Sequence, residues 1–293
     1  MKAKHFSCLL SLPIALIGMA AIAQQVQEEI CKQPKATAIS VQPYSTVNPL
    51  VNSLMKQGDA AVKAKNYTQA EAIWRQLIQE EPKNAKAYYN LGEALRFQQK
   101  FEPAISAYRN SIEINPDEES ACIGWAEAAV KSINSNQDLE TLNFFGEKGL
   151  DALLECNRLR VKLKPDRFDF QTDLGRLLYQ ANRNDEAIST LYQAVDLMPC
   201  DKEPYERFGT VKALELALNK QSRLSDMLPV YKGLIRRYPD DAADYYHSMG
   251  DTLVRLNRLR DAVMAFRKSI ELAPKSEFHR NRLKEAEQML KSR

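Results

Sequence analysis

The chain has 293 residues, 44% of them apolar and 27% charged, with ten glycines and thirteen prolines. Those proportions exclude collagen-like sequence and global disorder, and suit two average domains or one extended array. The formal net charge is +3 and drops to about +1 once the first 23 residues are set aside, so the chain lacks the basic footprint of a nucleic-acid binder.

The N-terminus differs from the rest. Lys2 and Lys4 precede an apolar run from Phe6 to Ile17, and Ala21-Ile22-Ala23 supplies a small-x-small pattern before Gln24. This predicts a cleaved export signal over 1–23, the other reading being an uncleaved anchor weakened by Ser7, Ser11 and Pro13. Residues 24–47, with Gln24, Gln25, Pro34 and Pro43 and no sustained period, read as a linker or extended arm.

Downstream, glycine, alanine and proline recur at constant offsets. Gly58, Ala70 and Pro82 are matched by Gly92, Ala104 and Pro116, by Gly175, Ala187 and Pro199, and by Gly250, Ala262 and Pro274. A period of this kind is the mark of a repeat architecture. Each unit divides into two apolar-periodic segments of about a dozen residues, which predicts a helical hairpin. Glycine on the first helix and alanine on the second are expected to let the backbones approach, with large aromatics beside that contact. Proline ends the second helix, and an N-cap follows at Asn84, Asp117, Asp166, Asp201, Asp241 or Ser276.

The 34-residue pattern resembles the tetratricopeptide repeat. In 85–118 the resemblance rests on Tyr88, Leu91, Gly92, Phe101, Ala104, Tyr108 and Pro116; in 51–84 on Leu54, Gly58, Tyr67, Ala70, Trp74 and Pro82. Residues 168–201 carry it on Leu174, Gly175, Ala187, Ala194 and Pro199, and 243–276 on Tyr246, Met249, Gly250, Leu259, Ala262, Phe266 and Pro274. Two units are degenerate. Residues 119–167 keep Trp125, Ala126 and Pro165 around an insertion near Lys131–Lys148, and 202–242 keep Tyr205, Phe208, Gly209, Tyr231 and Pro239. The expected fold is therefore all-α: a right-handed superhelical solenoid of antiparallel helix pairs over 48–276, about six units, two with insertions. A C-terminal cap helix is expected over 277–293.

The resemblance implies a concave groove lined by the first helix of each unit. Its positions fall on Met55, Lys56, Asp59 and Lys63, on Lys86, Tyr89, Asn90, Glu93, Arg96 and Phe97, on Asp169, Thr172, Asp173, Arg176 and Tyr179, and on Asp244, His247, Asp251 and Arg255. Tyr89, Phe97 and Tyr179 are expected as apolar anchors, and Lys86 and Arg96 as carboxylate holders. For any one of these residues the blander reading is a solvated helical face. Met55 and Asp59 stand where chaperone-binding members carry lysine and asparagine, and only Asn90 fits, which disfavours an acidic C-terminal peptide of that type in the groove.

Four cysteines follow the signal: Cys31, Cys122, Cys156 and Cys200. Their spacing suits neither zinc nor a redox motif, leaving disulfides or buried thiols. On the hairpin, Cys122 lies on the first helix of the third unit and Cys156 on the second, which favours that pairing. His247 and His279 fall in different units, His279 expected as a solvated residue of the cap and His247 at the surface. No catalytic residue, metal site or cofactor is expected. The predicted function is an exported scaffold or assembly factor, in a periplasm or equivalent lumen or secreted, that binds a protein or peptide in the groove. The alternative is an envelope adaptor that meets a cell-wall or lipid ligand through 131–148, where Phe144 and Phe145 form an apolar tip.

Overall fold

The computed structural model describes residues 48–133, 146–199 and 204–292. The predicted signal, the linker, Phe144, Phe145, Cys31, Cys200 and Asp201 lie outside those residues. Among the described residues all regular structure is helical. The helices are α1 (Pro49–Lys63), α2 (Tyr67–Glu80), α3 (Ala85–Phe97), α4 (Phe101–Ile114), α5 (Glu119–Ile133), α6 (Gly146–Leu163), α7 (Phe168–Gln180), α8 (Asn184–Leu197), α9 (Pro204–Lys220), α10 (Met227–Arg237), α11 (Ala242–Arg255), α12 (Leu259–Leu272) and α13 (Glu277–Lys291). Short 3-10 turns, Leu224–Asp226 and Pro239–Asp241, precede α10 and α11. None of these helices is long and apolar enough to cross a membrane.

The chain forms two compact units, one ending at Met198 and taking in residues 205–217, the other containing Leu218 onward. In the first, α1 to α8 pack as successive antiparallel pairs. Trp74, Leu77, Leu95, Tyr108, Ile112, Trp125 and Ala126 form its core, and Leu154, Leu174, Leu178 and Ala187 form a further cluster between α6, α7 and α8. In the second, α10 packs on α11, α11 pairs with α12, and α13 closes the stack. Its core is Leu253, Ala262, Val263, Phe266 and Ala286, with Leu228, Met249, Leu283 and Leu290 packed around it.

The first helix of a pair ends in the same turn five times. Lys65, Gln99, Asn182, Ser222 and Asn257 each have φ between 56° and 62°. In each case the residue's own N–H and the next N–H turn back onto carbonyls of the helix just ended, as in Gln99 to Arg96 at 2.9 Å and Lys100 to Leu95 at 2.9 Å. This is the Schellman arrangement, built without the usual glycine. The strained left-handed residue is held by two backbone bonds and directs the chain straight into the second helix.

The repeat glycines meet large side chains rather than the alanines. A Cβ on Gly92 would lie 2.6 Å from the Tyr108 ring, and Gly58, Gly175 and Gly250 face Trp74, Leu191 and Phe266 in the same way. Each partner follows the repeat alanine by four residues, so the glycine makes room for a ring or branched chain. Tyr108 is doubly enclosed, because Gly124 of α5 would also place a Cβ 2.5 Å from it. The serine hydroxyls of Ser111 and Ser269 donate to the carbonyls of Ala85 and Ala243, tying each second helix to the start of its first.

The caps divide. Asn48, Asn66, Asn84 and Ser276 accept N–H bonds from the first turns of α1, α2, α3 and α13. Asp166 is not a cap: Arg167 holds that position before α7. Asp117 lies one residue too early and is taken instead by Lys164 and Arg167 at 2.8 and 2.6 Å. Asp241 stands at the N-cap of α11 without a side-chain capping bond.

Candidate functional site

The first-helix face of the first unit presents the predicted groove residues unequally. Lys56, Asp59 and Lys86 are exposed, and Tyr89, Asn90, Glu93 and Arg96 are half-buried. Arg96 is already engaged: its Nη2 reaches Glu93 at 2.8 Å and its Nη1 reaches Glu127 of α5 at 2.9 Å. The Tyr108 hydroxyl donates to Glu93 at 2.5 Å. Burial and the Glu93 charge push the Tyr108 hydroxyl pKa far up; for Arg96 burial works downward, but the Glu93 hydrogen bond and the charges of Glu93, Tyr108 and Glu127 together push its pKa up. Arg96 is thus a strut between α3 and α5 and not a free carboxylate holder.

The expected apolar anchors are likewise committed. Phe97 stacks on Tyr67 at 4.7 Å with the Arg96 guanidinium 4.5 Å from its centroid. Tyr89 tilts against Tyr108 at 6.1 Å, and Tyr179 packs onto the cluster around Leu154 and Leu178. Thr172 is buried against Thr210 at 2.9 Å, and Asp169 pairs with Arg167 at 2.6 Å.

The concave feature lies further along, where α5, α6 and α7 leave a cleft of about 270 Å³. Ile123, Leu153 and Leu177 give it apolar walls, with Glu119, Asn157, Arg160, Asp173, Arg176 and Gln180 among its polar lining. Ile123 is 43% exposed there. Arg160 is buried and held from three sides. Its Nε donates to the Pro116 carbonyl at 2.8 Å, its Nη1 donates to Asn157 at 2.9 Å, and the guanidinium lies over the Phe170 ring at 4.1 Å. Asp173 approaches Arg160 only to 3.6 Å. Loss of water raises the Asp173 pKa, Arg160 opposes that, and Glu119 adds to it. The cleft therefore combines an apolar wall with pre-oriented polar groups, the make-up of a side-chain recognition site.

Of the predicted groove set, this cleft gathers Arg176 and Asp173. It adds Glu119 and Ile123 of α5, and Leu153, Asn157 and Arg160 of α6, whose register the insertion before that helix hid from the sequence. Cys122, which also lines the cleft, is disulfide-bonded to Cys156 across α5 and α6 with Cα atoms 5.6 Å apart.

In the second unit α13 packs over His247 and pairs with Asp251, while Asp244 and Arg255 stay exposed. Asp251 is paired with Arg282 at 2.5 Å. His247 and His279 are both buried, not surface-placed, with ring centroids 4.8 Å apart. The His279 Nδ1 shares a 2.9 Å hydrogen bond with Ser269, and its Nε2 is 3.3 Å from Asp244. Neither ring nitrogen of His247 has a hydrogen-bond partner, although Asp251 lies 3.5 Å away. Burial pushes the His247 pKa below its usual value; Asp251 opposes this, and His279 and Arg282 reinforce it. Among the described residues no group of three or more His, Cys, Asp or Glu could hold a metal ion.

The chain is 25% identical over 197 residues to the DnaJ homolog subfamily C member 7 homolog of Dictyostelium discoideum, covering 62% of this chain and 36% of that protein. It is 23% identical over 195 residues to the human protein O-mannosyl-transferase TMTC3, covering 66% of this chain and 20% of that protein. The match thus spans about a third or less of either relative. Among solved structures, YrrB, a TPR protein with an unusual peptide-binding site, is 16% identical, with 71% of this chain and 96% of that chain covered at a TM-score of 0.40. Tetratricopeptide-repeat family models match residues 55–119, 150–200 and 243–276, together just over half of the sequence, and the chain belongs to the tetratricopeptide-repeat family.

Proposed function

We propose that the protein is an exported interaction scaffold that binds a segment of a partner protein and does no chemistry on it. The cleft between α5, α6 and α7 carries this reading. A partner's apolar side chain would lie against Ile123, Leu153 and Leu177, while its backbone polar groups meet Asp173, Arg176 and Gln180 at the rim. Pre-orientation of Arg160 lowers the ordering cost of recognition, which is where affinity is gained at small sites. Export is supported by the signal-like pattern over 1–23 and by the Cys122–Cys156 bond, since disulfides persist in oxidising compartments.

The test is comparative capture from native extracts with the wild type and an Ile123→Asp/Arg176→Glu variant. Both positions are exposed, so the fold is retained. A partner held by the wild type and lost by the variant supports the cleft. A partner held equally by both overturns it.

A further inference from the structure

The second unit carries an open apolar site of its own. On α11, Asp244, His247 and Asp251 face α13, whereas Tyr246, Met249 and Leu253 lie on the opposite side of the helix at 100° per residue. On that side α10 and α12, the second helices of two successive pairs, flank α11 and leave a slot of about 300 Å³. Leu228, Met249, Leu253 and Ala265 line it, and Met264 stands 59% exposed beside them. Leu253 and Ala265 belong to the core of the unit and form the floor of the slot, which leaves the partly buried Leu228 and Met249 and the exposed Met264 as its reachable apolar walls.

The charges on the slot are unequal. Lys232, Arg258 and Lys268 line it against one acid, Asp261. Asp261 is taken by Arg258 at 2.6 Å. Lys268 pairs with the exposed Glu271, a contact that water and salt weaken. Lys232 makes no ion pair among the described residues. An apolar slot with one free lysine, and a second held only by an exposed pair, complements an apolar side chain flanked by carboxylates.

We propose that this slot is a second docking site, for a partner-protein segment in which a large apolar residue is flanked by acidic ones. The apolar side chain seats against Leu228, Met249 and Met264, the two methionine thioethers adjusting to its shape. The flanking carboxylates meet Lys232 and Lys268. Because the slot shares no residue with the cleft of the first unit, the two sites bind separate segments, and the protein joins two partners or two parts of one.

The test uses the full chain and two fluorescein-labelled hexapeptides, Asp-Glu-Leu-Phe-Asp-Glu and Lys-Lys-Leu-Phe-Lys-Lys, titrated by anisotropy. The acidic peptide is expected to bind at least about tenfold more tightly at low salt, with the preference shrinking as salt is raised. A Met264→Asp/Lys232→Glu variant is expected to lose about tenfold or more in affinity for it, with the unfolding midpoint unchanged because both side chains are exposed. The Ile123→Asp variant should bind it as the wild type does, which separates this site from the cleft. Equal binding of the two peptides, no binding, or full binding by the slot variant overturns the proposal. So does sedimentation showing a wild-type dimer that the slot variant abolishes, since the slot would then belong to a second copy.

Discussion

Replacing Gly124 by alanine is the sharpest probe of how the first unit is packed. The new Cβ would lie 2.5 Å from Tyr108 Cζ, 2.7 Å from Cε1 and 2.8 Å from the hydroxyl oxygen. Ordinary carbon contacts are about 3.5–4.0 Å, so the overlap is about 1 Å. The ring has nowhere to go. It is fully buried, Gly92 already touches it, and its hydroxyl is tied to Glu93. Overpacking of this kind costs about 1–3 kcal/mol, and weakening the Glu93 bond adds about 1 kcal/mol or more. Against this stands the gain of about 1 kcal/mol from alanine over glycine inside a helix. The expected net loss is about 2 kcal/mol. In a Tyr108→Leu background the obstacle is shorter and carries no hydroxyl, so Gly124→Ala should become neutral or stabilising by up to about 1 kcal/mol. Urea denaturation of the four proteins of this cycle, followed by circular dichroism, reads the coupling directly. The reasoning is refuted if Gly124→Ala stabilises the wild type, or if its effect is the same in both backgrounds to within about 0.5 kcal/mol.

Four further outcomes are expected. Reducing the Cys122–Cys156 bond, which closes a 34-residue separation, should lower stability by up to about 3–4 kcal/mol, measured as the difference between melts with and without reductant. His247 has its pKa lowered in the folded chain, so its contribution is present above the unfolded value of about 6.5 and is lost as pH falls below it. The wild type should therefore lose more stability between about pH 7.5 and 5.5 than a His247→Phe variant, and equal losses would remove His247 as the cause. Arg160→Ala should cost about 2–4 kcal/mol because it leaves the Pro116 carbonyl and Asn157 short of a donor in a buried setting, whereas Asp117→Asn, in an exposed ion-pair cluster, should cost less than about 1 kcal/mol; parallel thermal melts rank the two. Asn257→Val, at an exposed left-handed turn, should cost about 1–2 kcal/mol with no change in helix content by circular dichroism.

The helix pairs were legible because Gly92, Ala104 and Pro116 each report a backbone constraint that one chain reveals by itself: close approach, tight contact and the end of a helix. What faced Gly92 was less legible. The alanine twelve residues on and the tyrosine sixteen on both fit the spacing, and only packing chose Tyr108. The turns at Lys65 and Gln99 could not be read, because the usual sign is glycine and here two backbone bonds do its work. Asp117 suits an N-cap in sequence, yet cations 47 and 50 residues later hold it. Arg96, Phe97 and His247 were placed on the right helices, but their partners Glu127, Tyr67 and His279 come from neighbouring pairs. Contacts between successive pairs depend on the stacking angle, which no single period encodes.

The bond between Cys122 and Cys156 also has a topological consequence. It joins the chain to itself on either side of the insertion, so a single peptide cleavage at any point between the two cysteines leaves both halves in one covalent molecule. A protease that nicks there would produce two bands on a reducing gel and one on a non-reducing gel. Sequence can therefore be lengthened, exchanged or cut within residues 134–145 while α5 and α6, and the cleft they share with α7, stay tethered.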